Sequence, residues 1–322
     1  KYCFLFIFIF SCNKPNEGLL TKNAMVVSAR EEASRVGVEI LKKGGNAFDA
    51  MMATELALAV SYPSAGNIGG GGFMVYRKDN GKTGALDYRE RAPINSSRNM
   101  YLDQNSNIIE GLSVIGGLSI GVPGTIAGIF EAHEKFGSLS IEEIISPVID
   151  LAKNGVIVTE NQLNRINENR KYFRFVNKSE ILFDNDFKIN DTIKNLKLAA
   201  TLEKIMIYGK DEFYKGETAK KLVKFINENG GIITMEDLEV YEAIWRNPVV
   251  FNYDDLKIIS MSPPSSGGVC INQIFKMIEP FNLKSYGHNS TNYIKLLVEA
   301  ERRSFADRSH FLGDPDFVSI PT

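Results

Sequence analysis

Arg89 is the residue of this sequence best suited to recognising a substrate. It lies in Ala85-Leu86-Asp87-Tyr88-Arg89-Glu90-Arg91, where an extended backbone from Ala85 to Arg91 puts Asp87, Arg89 and Arg91 on one face and Leu86, Tyr88 and Glu90 on the other. A guanidinium carried on a strand beside glycine-rich backbone is a stiff, bidentate receptor for a carboxylate. The residues alone leave a second reading open, in which Arg89 only neutralises Asp87 or another nearby carboxylate in a surface ion pair. No Cys/His pair stands at a recognisable catalytic spacing, and His133, His288 and His310 are far apart. No metal pattern and no cofactor are therefore expected. The chemistry this points to is anion recognition without a nucleophile.

Four consecutive glycines, Gly69 to Gly72, come shortly before this region. A phosphate-binding loop would run from a strand through glycines to Gly-Lys-Ser/Thr in register and then into a helix. Here the glycines lead into the strand-like Phe73-Met74-Val75-Tyr76, so the phosphate and dinucleotide readings both fail on order. The role expected of them is close backbone approach between a strand and a buried helix. Gly121-Val122-Pro123-Gly124 reads in the same way, as a turn device.

The elements that must carry these residues follow from periodicity. Ala29, Ala33, Val36, Ile40 and Leu41 form one helical stripe, with Ser28 as the expected N-cap and Gly44-Gly45 as the stop. A second helix opens at Asn46, with Asp49 three residues on, and ends before Pro63. It is apolar nearly all round, which predicts a helix covered on most sides. Asp79-Asn80-Gly81 predicts a hairpin turn between the strand at Phe73 and the returning strand. Thr125 introduces a helix ending at Gly137, and Ser140 with Glu143 caps another ending at Gly155. Residues 159–230 read as a charged, helix-rich outer layer. A second pair of strands is expected near Val249–Phe251 and Lys257–Met261, and a long helix from Thr291 to Phe311. No repeat or low-complexity linker divides the chain, so one continuous α/β globule is expected.

The chain has 322 residues, with 37 Lys and Arg against 39 Asp and Glu for a net charge of -2. That balance removes the electrostatic case for a nucleic-acid partner. At the start, Phe4 to Phe10 form an unbroken apolar run preceded by Lys1 and followed by Ser11-Cys12. The run is too short for a membrane-spanning helix and suits a secretory signal. Residues 1–12 are thus expected to be a signal peptide with a lipoprotein-type Cys12, and residues 13–23 a tether. Such a chain is exported, periplasmic and membrane-anchored through the lipid on Cys12. Cys270 is expected to be a buried small apolar residue outside any disulfide framework.

Gly44-Gly45-Asn46-Ala47-Phe48-Asp49-Ala50, Gly66-Asn67-Ile68-Gly69-Gly70-Gly71-Gly72-Phe73-Met74 and Asp87-Tyr88-Arg89-Glu90-Arg91-Ala92-Pro93 together resemble the γ-glutamyltransferase (glutathione hydrolase) family. Further matching motifs are Gly121 to Thr125, Asp211 to Gly216, Pro263 to Gly268, Ala306 to Ser309 and Leu312 to Asp316. The resemblance covers roughly residues 24–320, and residues 24–322 are expected to be the large-subunit region. It implies an N-terminal-nucleophile hydrolase: a four-layer αββα sandwich made as one precursor that cuts itself into a large and a small subunit. The implied chemistry is acyl transfer from glutathione or other γ-glutamyl amides, through an acyl-enzyme on a Thr, to water, amino acids or peptides. The partner implied is the small subunit from the same precursor. Arg89 matches the position whose guanidinium grips the substrate α-carboxylate. The nucleophilic Thr and the oxyanion glycines are expected beyond Thr322, since no Thr-Thr-His segment of the kind that opens the small subunit occurs here. The fold is accordingly expected to be incomplete and the fragment inactive. Two other readings fit the same residues: a related cephalosporin or glutaryl acylase, and a lipid-tethered binding protein that never cleaves itself.

Overall fold

A computed structural model describes residues 18–177 and 179–321. The proposed signal, Cys12 and the first part of the tether lie outside the described residues. From Gly18 to Ala29 the chain runs without helix or strand. The first helical stripe folds as α1 (Glu31–Lys42), two residues later than a Ser28 cap would start it. Ser28 donates its hydroxyl to the Arg30 carbonyl instead, and the Arg30 guanidinium is tied to Glu32 and to the Ile157 carbonyl. These contacts hold the approach non-helical up to Arg30.

Helix α2 (Ala47–Ser61) starts where the sequence predicts. Asn46 accepts from the Phe48 and Asp49 backbone N–H groups, and Asp49 accepts from the Asn46 N–H, which satisfies orphan donors on both sides of the cap. Asp49 is wholly buried and also takes both the N–H and the hydroxyl of Ser138, joining the cap to a loop 89 residues away. Met52, Ala53, Leu56 and Ala57 are enclosed on successive turns, so α2 is the central helix its all-round apolar character predicts.

Strands β1 (Phe73–Arg77) and β2 (Thr83–Asp87) form the expected hairpin, with Phe73 opposite Asp87 and Arg77 opposite Thr83. Gly81 closes the turn at φ +82°, a conformation glycine adopts without steric penalty. Helix α3 (Thr125–Phe136) and helix α4 (Ile141–Asn154) follow, the latter opened by a Ser140/Glu143 capping box. Strand β3 (Val156–Ile157), helix α5 (Glu160–Val176), strand β4 (Thr192–Ile193) and helices α6 (Leu196–Tyr208), α7 (Lys210–Tyr214), α8 (Glu217–Glu228) and α9 (Met235–Glu239) make the helix-rich layer. Helix α5 buries only Ile166, as a helix on the outside should.

Strand β5 (Ile244–Arg246) pairs with β2, so β2 is the middle strand of an antiparallel β1-β2-β5 sheet. Strands β6 (Val249–Tyr253) and β7 (Leu256–Ser260) form a separate ribbon, and β3 with β4 another. Helices α10 (Gly267–Ile278), α11 (Leu283–Tyr286) and α12 (Thr291–Phe311) complete the chain. Cys270 is buried on α10 with a free thiol, and its carbonyl accepts the Ser304 hydroxyl of α12. The architecture is mixed α/β. Among the described residues no helix is long and apolar enough to cross a membrane.

The returning strand is shorter than expected. It ends at Asp87 rather than Arg91 because the hairpin pairing reaches only one residue further, to Tyr88 opposite Gly72, before the backbone turns to another partner. Tyr88 bonds through both backbone groups to Gly72, and Arg91 through both to Val122. The strict alternation predicted for 85–91 therefore fails beyond Asp87, and Glu90, expected on the opposite face, shares the cleft of Arg89.

Candidate functional site

The three residues leading to the Arg89 guanidinium are held by buried groups. Asp87 uses one carboxylate oxygen to accept the Arg89 N–H at 3.1 Å and the other to accept from Arg246 Nε at 2.8 Å. The Tyr88 ring lies in the core, and its hydroxyl donates to Glu55 of α2 at 3.0 Å. The Arg89 carbonyl accepts the hydroxyl of buried Tyr241 at 2.7 Å. Burial raises the Tyr241 and Tyr88 hydroxyls far above the ordinary tyrosine range, so both remain donors at any physiological pH. Burial likewise pushes the Glu55 carboxyl up to about 7, against the opposing effect of the Tyr88 hydrogen bond.

Glycines admit this arrangement. A Cβ on Gly71 would press on the Tyr88 carbonyl and the Arg89 Cα, one on Gly128 would enter the Tyr88 ring, and one on Gly124 would occupy the position of the Tyr241 hydroxyl. The Gly70 carbonyl accepts from the Gly124 and Thr125 N–H groups at the start of α3, and Asn67 joins the Gly70 N–H to the Thr125 hydroxyl. The glycine run thus allows close approach, but to the Tyr88–Arg89 backbone and the start of α3 rather than between a strand and the buried helix α2 as expected. Gly117-Leu118-Ser119-Ile120-Gly121 has the spacing of a nucleophile elbow but not its strand-turn-helix context. Ser119 ends a 3-10 turn with no strand leading in, and its hydroxyl donates to the Gly116 carbonyl.

Arg89 itself is exposed, and among the described residues no ion pair or side-chain hydrogen bond engages its guanidinium. The ion-pair reading finds no partner, since the obvious candidate, Asp87, is paired with Arg246. Arg89 opens onto a cleft of about 590 Å³ whose far wall carries Ser266, Arg308 and Asp316. Arg246 bridges the two sides, holding Asp87 with Nε and Asp316 with both terminal nitrogens at 3.1 and 3.0 Å. Burial opposes its charge, but the bonds to Asp316 and Asp87 outweigh that and raise the guanidinium pKa; the same contact lowers Asp316. The Ser265-Ser266-Gly267-Gly268 turn starts α10, where Gly268 fits against the Met261 carbonyl and Ser266 accepts from Arg308 Nε at 2.9 Å.

The cleft is lined by guanidinium and carboxylate groups, with Arg89 free to meet an anion. Among the described residues no cluster of His, Cys, Asp and Glu could hold a metal. Sequence reasoning isolated Arg89 but gave no individual role to Tyr241, Arg246, Arg308 or Asp316. Arg308 and Asp316 fall within motifs that drew notice as a block, whereas Tyr241 and Arg246 carry no local signal.

A mixed α/β chain with an unpaired guanidinium in an open cleft leaves several protein classes open, and comparison with known proteins narrows this. The gamma-glutamyltranspeptidase family model matches residues 33–322, and the chain belongs to that family. The glutathione hydrolase proenzyme of Escherichia coli (strain K12) is 42% identical over 310 residues, covering 93% of this chain and 52% of the relative. The chain spans about half the length of the curated relatives it matches. Among solved structures, Helicobacter pylori gamma-glutamyltranspeptidase superimposes with a TM-score of 0.89 at 42% identity, covering 94% of this chain and 88% of that one. Gamma-glutamyltranspeptidase from Pseudomonas nitroreducens, complexed with L-DON, gives 0.88 at 41% identity, with coverages of 94% and 90%.

Proposed function

We propose that this chain is the substrate-gripping part of a γ-glutamyl hydrolase and transferase acting on glutathione and other γ-glutamyl amides. Arg89 holds the α-carboxylate of the γ-glutamyl group. The nucleophile is a Thr beyond residue 322, released as the N-terminus of a small subunit when the precursor cuts itself. Its own α-amino group takes the hydroxyl proton as the oxygen attacks the γ-carbonyl, and backbone N–H groups of the small subunit stabilise the oxyanion. The amine leaves with that proton, and water or an acceptor amine then takes the γ-glutamyl group from the Thr ester. In this reading the small subunit completes the αββα stack, and residues 1–322 alone are inactive. Export through residues 1–12, with lipid on Cys12 and the enzyme held in the periplasm, belongs to the same proposal.

The observation that carries the reading is the unpaired Arg89 guanidinium, exposed to a cleft while its backbone is fixed by Asp87, Tyr88 and Tyr241. A preorganised cation of this kind binds a carboxylate with little ordering cost. The test is glutamate release from a γ-glutamyl anilide by the full-length gene product, by residues 13–322, and by full-length Arg89→Lys. Release by the full-length protein only is expected, with Arg89→Lys raising KM roughly tenfold or more while self-cleavage proceeds. Release by residues 13–322 would refute the division of labour. A full-length protein that never self-cleaves and turns nothing over would point to a binding protein, and preference for glutaryl over γ-glutamyl amides to an acylase.

A further inference from the structure

The cleft holds a second cation without a counter-ion. Four arginines line it, Arg89, Arg91, Arg246 and Arg308. Arg246 is neutralised by Asp87 and Asp316, and Arg91 approaches Asp316 at 4.0 Å. Arg308 pairs with no carboxylate among the described residues. Its Nε donates to the Ser266 hydroxyl, and its guanidinium leans on the Phe305 ring at 5.9 Å. A neutral hydroxyl on Nε orients the guanidinium plane but leaves its charge uncompensated and its terminal N–H groups free, the state in which an arginine receives a carboxylate bidentately. Arg89 and Arg308 stand on different elements, the segment after β2 and the last turn of α12, and line the same cavity of about 590 Å³. That volume lies within the range that houses small-molecule ligands.

Two free guanidiniums on separate walls call for a ligand with two separated carboxylates. We propose that Arg308, oriented by Ser266, receives the carboxylate of the leaving group, so that the cleft prefers γ-glutamyl amino acids and peptides bearing a free C-terminal carboxylate over neutral γ-glutamyl amides. This rests on the γ-glutamyl reading and extends it from the half of the substrate that is retained to the half that departs. Arg89 senses the common γ-glutamyl head. Arg308 senses only what is attached to it, which makes it specificity-determining.

Two substrates separate the roles: glutathione, whose leaving group carries a carboxylate, and γ-glutamyl p-nitroanilide, whose leaving group is neutral. In the full-length protein, Arg308→Gln is expected to raise the KM for glutathione roughly tenfold, the loss of a charge-assisted contact, and to leave the anilide KM within about twofold. Arg308→Lys, which keeps the charge but not the fork, should fall between wild type and Arg308→Gln on glutathione alone. Misfolding would depress both substrates, so the anilide reports on the integrity of each variant. Arg89→Lys must raise both KM values. Equal effects of the Arg308 variants on the two substrates, or none on glutathione, overturn the second seat while the γ-glutamyl reading stands. Wild-type protein that cleaves neither substrate overturns both.

Discussion

The two walls of the cleft carry the same functional group on different supports. On the near wall Asp87, Tyr88 and Tyr241 are 7%, 4% and 5% exposed, and the Arg89 backbone is bonded at both its N–H and its carbonyl. Among the described residues the far wall is the end of α12, which buries Ala300 and Ser304 and leaves Ile294, Val298 and Phe305 about half exposed. Arg308 is steered there by one hydroxyl. A group that must recognise an invariant head is best fixed in advance, because each rotamer ordered on binding subtracts from affinity. A group that meets varied leaving groups gains from a looser mounting. Disturbing the near wall should therefore damage the protein as a whole, and disturbing the far wall should change only what it binds.

The sharpest test of the near wall is Arg246. Its removal leaves Asp87 without its counter-charge at the edge of an open cleft, though still accepting the Arg89 N–H, which costs about 1 to 3 kcal/mol. Arg246→Ala should therefore lower the melting temperature more than any other single change around the cleft. It should also free the segment around Asp316, which proteolysis would detect. A loss under about 1 kcal/mol by denaturant unfolding would show that the near wall is not the rigid one.

Which parts of this could be read in advance depended on the range of the interaction. The caps at Asn46/Asp49 and Ser140/Glu143 lie within four residues, and both form as the sequence predicts. The hairpin at Asp79-Asn80-Gly81 is equally local. Arg89 stands out through its residue type and the neighbouring glycines, which are local too, although the alternation used to place it stops at Asp87. Its supports do not stand out: Tyr241 meets it across 152 residues, and Arg246 meets Asp87 across 159 and Asp316 across 70. The end of β2 escapes local reading for the same reason, since the polar alternation continues to Arg91 while the backbone partner changes to Val122 once the hairpin register has run out at Gly72.

A second test concerns pH. The Glu55 carboxyl, pushed up to about 7 by burial beside Tyr88, keeps its proton in the folded protein over a range where the unfolded chain has lost it. Its folded pKa lies above its unfolded value, so the associated stability is fully present below pH of about 4.5 and is lost as pH rises through about 7. Glu55 is partly exposed beside an open groove, so the full linkage value is discounted to the order of 2 kcal/mol. Glu55→Gln, which keeps an acceptor for the Tyr88 hydroxyl, should remove this slope and leave the variant the more stable of the two at pH 8. Parallel stability curves for the two proteins between pH 5 and 8 would place the carboxyl in water and weaken the account of the near wall.

The finest comparison sets one hydroxyl on each wall against the other. Tyr241→Phe keeps the ring that stacks on Tyr214 and deletes only the donor to the Arg89 carbonyl. That carbonyl is left facing a space which Gly124 keeps free of any side chain, and the expected loss is about 1 kcal/mol. Ser266→Ala removes the acceptor of Arg308 Nε at a site open to solvent, where water replaces it, so the expected change is below about 0.5 kcal/mol. Function should rank them by substrate: Tyr241→Phe raises the KM of glutathione and the anilide together through Arg89, and Ser266→Ala raises that of glutathione alone through Arg308. Chemical unfolding with the two KM ratios decides the matter. A destabilisation by Ser266→Ala equal to that of Tyr241→Phe would mean the walls are alike, and the distinction between a fixed and an adjustable guanidinium would have to be given up.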